Sequence, residues 1–188
     1  KEVVALVELR ARFDEQNNID WSKQLESAGC TVIYGFDDYK VHSKLTLITK
    51  KSKEGYSYIT QIGTGNYNEK TSELYTDYSF ITADHGIGEE ASNVFQNLAV
   101  QKLTEESDRM LVAPLRFKSV LLEEMDRVIA AAHMGRPASM ILKNNSISDR
   151  DIILKLQEAK RGVAEAIIPG QDTWKSLTRE DLEMLFEV

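Results

Sequence analysis

Two short runs of β-type residues, 41–49 and 56–62, flank the stretch Lys50-Lys51-Ser52-Lys53-Glu54-Gly55. That pattern predicts a hairpin with a charged, solvated tip. The hairpin is bracketed by two polar motifs. His42-Ser43-Lys44 stands at its entrance, and Gly63-Thr64-Gly65-Asn66-Tyr67-Asn68 follows its exit. A hairpin returns its exit to its entrance, so the two motifs are expected to meet in space. On an extended strand, His42 and Lys44 fall on one face, because side chains alternate.

The residue types in these motifs point to transfer of an anionic group. A neutral imidazole can act as a nucleophile towards phosphorus. A lysine two residues on would offset the repulsion between that nucleophile and an anionic substrate. Gly63 and Gly65 permit close backbone approach, and successive N–H groups in such a turn bind anions. Each motif alone is short: an H-x-K pair fits a surface strand, and a glycine turn fits any strand-to-helix connection. Their pairing at hairpin spacing is more specific than either.

Arg12 follows the first strand, where ligands of α/β folds usually bind, and its planar fork suits phosphate. An ion pair with Asp14 or Glu15 is the competing reading. Lys50, Lys51 and Lys53 belong to the solvated tip. His85 and His133 have no ligand spacing to His42, and no His/Cys metal cluster is legible.

The chain has 188 residues and a net charge of -7. The charge argues against general nucleic-acid binding and requires a local cationic cluster for any anionic ligand. The single cysteine, Cys30, excludes an intramolecular disulfide and fits a reducing compartment. A strand pattern begins almost at the first residue, which predicts an excised fragment.

The periodicities predict a strand at 3–9, a loop at 10–18, a helix at 19–28 closed by Gly29, and a strand at 31–34. After the hairpin come a strand at 75–82 and a helix at 88–100. A second unit is expected from about Met110, with a strand end at 111–114, a helix at 115–132, a strand at 138–142, a helix at 149–159 and a strand at 163–168. Its order of strand, helix, glycine and strand echoes residues 3–33 and suggests an internal repeat. Thr178-Arg-Glu-Asp181 resembles a helix start, with a short terminal helix over 182–186. The fold class is therefore α/β.

Val7-Glu-Leu-Arg-Ala-Arg-Phe-Asp-Glu15, Val41-His-Ser-Lys44, Gly63-Thr-Gly-Asn-Tyr-Asn-Glu-Lys-Thr71 and Leu74-Tyr-Thr-Asp77 together resemble the bacterial polyphosphate kinase family of the phosphohistidine type. Lys143-Asn-Asn-Ser146 with Asp149 resembles its next motif block. The resemblance covers about residues 1 to 163. It implies a phospholipase D-like mixed sheet flanked by helices. Residues 1–108 would form the first such catalytic domain, N-terminally incomplete, and 109–188 the start of a second.

The resemblance further implies an ATP:polyphosphate phosphotransferase in which His42 takes the γ-phosphoryl group. Lys44 assists it, and Arg12 with Gly63, Thr64, Gly65 and Asn66 binds phosphate. Arg12 matches an arginine of the phosphate and magnesium region, and Tyr75 matches a nucleotide-contacting tyrosine. Mg2+ would accompany ATP. The implied partners are ATP/ADP and inorganic polyphosphate, with no nucleic acid and a homo-oligomeric parent. The implied location is cytoplasmic, with peripheral attachment to the inner face of the membrane left open.

Several positions depart from the family pattern. A further phosphate-binding arginine of the family lies upstream of Lys1, and the second domain's histidine motif is missing. Ile167-Ile-Pro-Gly170 does not match the usual Val-Arg-Gly strand end. Gln61 stands where some members carry a second histidine. Thr49 stands where phospholipase D-like hydrolases carry aspartate, which favours the kinase branch. Two alternatives stay open: an incomplete fragment that only binds polyphosphate or a partner, and a single-motif nuclease that builds its site by homodimerisation. With the upstream arginine and the second histidine motif missing, the isolated chain is expected to be weak or inactive on the kinase reading too.

Overall fold

The computed structural model describes residues 1–10, 15–105 and 107–167. They form a mixed α/β arrangement with helices flanking β-sheet, divided into two compact units, Lys1–Arg116 and Phe117–Val188. Arg12 and the 178–186 helix expectation lie outside the described residues.

The first unit opens with a βαβ element: β1 (Val4–Leu6), α1 (Glu15–Ser27) and β2 (Thr31–Ile33). The strands pair in parallel, Val4 opposite Thr31 and Leu6 opposite Ile33. Gly29 closes α1 with φ 87°, a conformation that glycine adopts without a Cβ penalty. Helix α1 starts earlier than expected, at Glu15 instead of Ile19, and Gln16 bonds Asp20 at 3.0 Å one turn on.

The hairpin follows as β3 (Lys44–Ser52) and β4 (Gly55–Gly63), antiparallel over its whole length from Lys44 opposite Gly63 to Ser52 opposite Gly55. The tip is therefore only Lys53-Glu54, tighter than the six-residue charged stretch suggested. A four-residue helix, α2 (Glu69–Ser72), comes next. Its N-cap Asn68 accepts the Thr71 N–H at 3.1 Å. Then β5 (Ser79–Thr82) adds to β4, giving the sheet order β3-β4-β5.

Helix α3 (His85–Ala99) packs on this sheet. Asp84 caps it, accepting the Ile87 N–H at 2.9 Å. Ala91 and Val94 are buried against the sheet side that carries Thr60, itself fully buried. Gly88 lets helix and strand approach closely, since a Cβ there would run into Tyr58.

Glu90, one turn on from Gly86, holds the segment after α3. It accepts the Ser107 hydroxyl at 2.6 Å and the N–H groups of Asp108 at 3.0 Å and Met110 at 2.8 Å. This clamp keeps 107–110 with the first unit, which extends to Arg116. The predicted strand end at 111–114 is irregular chain.

The second unit contains α4 (Phe117–His133) and α5 (Arg150–Ile167), packed on each other, with Met125 of α4 buried. Lys118 bridges Asp149 at 2.9 Å and Asp151 at 2.6 Å. The sequence expectation fails twice here. Residues 138–142 are not a strand, and Ile141 is 92% exposed. Residues 163–167 continue α5 instead of forming a strand. Strands draw their stability from neighbours, and without one the Ala- and Glu-rich run after Gly162 follows its helix propensity. The suspected internal repeat is consequently not visible in the described part of this unit.

Candidate functional site

The histidine segment does not join the hairpin as the alternation predicted. Residues 41–43 are irregular, and β3 begins at Lys44. The cause is Glu8, just past β1. Its Oε2 accepts the Val41 N–H at 2.7 Å, and its Oε1 accepts the Arg10 N–H at 2.9 Å. An amide used in this way cannot serve a strand ladder. The segment before His42 is thus fastened to the end of β1, 33 residues upstream.

His42 and Lys44 still converge. Lys44 is buried, at 9% exposure, while His42 is exposed. The Lys44 ammonium donates to the His42 carbonyl oxygen at 2.6 Å and lies 3.1 Å from ring Nδ1 and 3.3 Å from Nε2. Burial lowers the imidazole pKa from its usual value, and the Lys44 and Lys40 charges lower it further. Burial also lowers the Lys44 pKa. Asp77 opposes that shift and Lys40 adds to it. The shift favours the neutral form of the imidazole next to the Lys44 side chain.

The cross-strand partner of Lys44 is Gly63, so the glycine turn starts next to the lysine. Thr64 is held on both sides. Its N–H donates to Tyr78 O at 3.0 Å, its hydroxyl donates to Asp77 Oδ1 at 2.8 Å, and it accepts the Tyr78 N–H at 2.9 Å. The Tyr78 N–H thus goes to a side-chain hydroxyl and not to a strand carbonyl, and β5 begins at Ser79 and not at Tyr75. Gly65 must lack a side chain, because a Cβ there would collide with the Asp77 carboxylate.

His42 and Lys44 open onto a cleft of about 1370 Å³ that Asn66 and Tyr67 also line. Its cations are Lys1, Arg10, Lys40, Lys44, Lys50 and Lys51, against the carboxylates Glu2 and Glu8. A chain of net charge -7 thus gathers positive charge at one place, and such a field favours an anion.

The other anticipated residues are placed differently. Tyr75, 53% exposed, is not among the residues lining the cleft. His85 pairs with Glu89 at 3.3 Å and leans on the Tyr58 ring, and His133 ends α4. Lys51 sits over the Tyr56 ring, with its ammonium 5.7 Å from the centroid. Among the described residues no group of three or more His, Cys, Asp or Glu could hold a metal ion, and no helix is long and apolar enough to cross a membrane.

Sequence reasoning did not single out Glu8, Lys40 or Asp77. Glu8 had one signal, a carboxylate within an otherwise apolar strand run. Asp77 closes the Leu74-Tyr-Thr-Asp77 block of the resemblance but was given no role there, and Lys40 had no signal beyond proximity to His42.

Comparison with known proteins fits this geometry. The family profile "Polyphosphate kinase C-terminal domain 1" matches residues 1–104, and "Polyphosphate kinase C-terminal domain 2" matches residues 110–169. The chain belongs to the polyphosphate kinase family. It is 43% identical over 159 residues to a polyphosphate kinase of Staphylococcus saprophyticus, covering 85% of this chain and 22% of that protein. A Lactiplantibacillus plantarum polyphosphate kinase is also 43% identical, again covering 85% of this chain and 22% of that protein. The crystal structure of polyphosphate kinase from Porphyromonas gingivalis superposes with a TM-score of 0.73 at 31% identity, covering 86% of this chain and 27% of that one. The chain therefore spans about a fifth of the length of these relatives.

Proposed function

We propose that this chain carries the phosphoryl-accepting histidine of a polyphosphate kinase, and that His42 takes the γ-phosphoryl group of ATP and passes it to inorganic polyphosphate. The contact of Lys44 with both the ring and the carbonyl of His42, beside Gly63, is the observation that carries this reading. A lone pair on a ring nitrogen attacks phosphorus, an N–P bond forms, and the bond to the ADP oxygen breaks. The Lys44 ammonium exchanges its ring contact for a phosphoryl oxygen, which frees the nitrogen and stabilises the developing charge. The turn amides from Gly63 to Asn66 bind the remaining oxygens, Arg12 adds a bidentate clamp, and Tyr75 meets the nucleotide in the complete enzyme.

Magnesium is the implied ion. The carboxylates near the turn are too few to cage it, and Mg2+ is commonly held by substrate phosphates with one or two carboxylates. It would come with ATP and neutralise phosphate charge. The same reading places residues 1–108 and 109–188 in two phospholipase D-like domains of a homo-oligomeric cytoplasmic enzyme.

The test is labelling with γ-labelled Mg-ATP. The expected product is an acid-labile, alkali-stable phosphate on His42 that the His42→Ala chain does not form. Label that survives His42→Ala would overturn the assignment. Polyphosphate bound without any label would leave a binding segment only.

A further inference from the structure

A directed run of hydrogen bonds crosses the sheet beside the glycine turn. The hydroxyls of Thr46 and Tyr67 are 3.2 Å apart, the Tyr67 hydroxyl donates to Gln61 Oε1, and Gln61 Nε2 donates to Ser79 Oγ at 2.9 Å. A phenol donates and accepts at once. With Thr46 donating to Tyr67, every step in the run has a donor and an acceptor. Thr46 and Gln61 are opposed in the β3–β4 ladder, two residues along from the Lys44–Gly63 pair. They therefore share the Lys44 face of the sheet.

The turn is in this way held at two points. Asp77 and Tyr78 hold Thr64, and Gln61 and Thr46 hold Tyr67. Between them, nothing among the described residues accepts from the N–H groups of Gly65, Asn66 and Tyr67. Successive free N–H groups in a turn are an anion-binding arrangement, and their value depends on fixed orientation. The Tyr67 ring is 70% exposed, so its apolar body fastens little. The hydroxyl is what ties it to the sheet.

We infer that Tyr67 and Gln61 are a positioning pair: the phenol–amide bond fixes the 65–67 amides for phosphate oxygens next to Lys44. The inference rests on the reading of the turn as a phosphate site. It gives Gln61 a task of its own, that of accepting the Tyr67 hydroxyl, where some relatives of the family pattern carry histidine.

The experiment uses the 188-residue chain with Tyr67→Phe, Gln61→Ala and the double variant, and inorganic tripolyphosphate as probe. Calorimetry reads affinity, 15N relaxation reads the order of the turn, and thermal melts read stability. Tyr67→Phe is expected to weaken tripolyphosphate binding about fivefold. The order parameters of Gly65 and Asn66 should fall from the rigid range of about 0.85 towards 0.6. The melting temperature should hold, since the ring is exposed. The double variant should bind no more weakly than the weaker single one, because both changes break one bond. Wild-type affinity or unchanged order in Tyr67→Phe overturns the positioning pair while leaving the phosphate site intact. A wild-type chain that binds no tripolyphosphate overturns the phosphate site and the pair's role in it, and the order parameters then decide only whether Tyr67 holds the turn.

Discussion

The ammonium of Lys44 lies 3.1 Å from Nδ1 and 3.3 Å from Nε2 of His42 while also donating to the His42 carbonyl oxygen. The contact adds to the effect of burial on the protonation of the ring. Burial, Lys44 and Lys40, in that order, lower the imidazole pKa below 6.5. An NMR titration of the His42 ring is expected to show a midpoint below 6.5, and Lys44→Met should move it partway back, since burial and Lys40 remain. The sign for stability follows. Between the lowered folded value and 6.5 the unfolded chain binds more protons, so this group's contribution falls as pH drops through that window. A wild-type midpoint at or above 6.5 would contradict the arrangement.

Glu8 offers a second test, because it holds the histidine segment without touching the ring. Its two oxygens accept the Val41 and Arg10 amides. Glu8→Ala removes both bonds and should cost about 1.5–3 kcal/mol in a urea melt, in the range for bonds to a charged group. It should also broaden the His42 ring resonances, as residues 41–43 lose their tether. Glu8→Gln keeps one carbonyl acceptor and should fall between. Equal behaviour of Glu8→Ala and wild type would remove Glu8 from the site.

What was legible in the sequence was local. The hairpin followed from alternation around a charged tip, and α1, α3 and α4 from apolar spacing and caps. His42 and Lys44 were identifiable because they lie two residues apart. What was hidden depended on partners far along the chain. Val41 has strand character, yet its amide goes to Glu8, so the strand starts three residues late. Nothing near Gln61 announces that Tyr67 will donate to it. The 163–167 segment reads as a strand by its Val, Ala and Ile content, but without a neighbouring strand it stays in α5.

Thr60 gives a prediction about the core behind the site. It is fully buried under α3, and its hydroxyl has no partner among the described residues. A buried unsatisfied hydroxyl costs about 1–3 kcal/mol. Thr60→Val keeps the branched shape and removes the polar atom, so the urea midpoint should rise by the equivalent of about 1 kcal/mol. Thr60→Ser keeps the hydroxyl and removes a methyl, and it should lower stability by about 1 kcal/mol. A destabilised Thr60→Val chain would mean that the hydroxyl is satisfied in solution.

Glu90 links stability to pH. Partial burial alone would raise its pKa. The bonds from Ser107 and from the Met110, Arg109 and Asp108 amides outweigh that and hold it below 4.5. A depressed carboxyl contributes stability that is fully present above the unfolded pKa and is lost as pH falls through the folded value. Glu90→Gln should therefore cost about 1–3 kcal/mol at pH 7, and the gap from wild type should narrow below pH 4.5. Urea melts of both chains at several pH values give the comparison directly, because the other carboxyls titrate in each. A gap that stays constant down to pH 3, roughly one unit below the usual carboxylate value, would show that the charge on Glu90 does not hold the 107–110 segment.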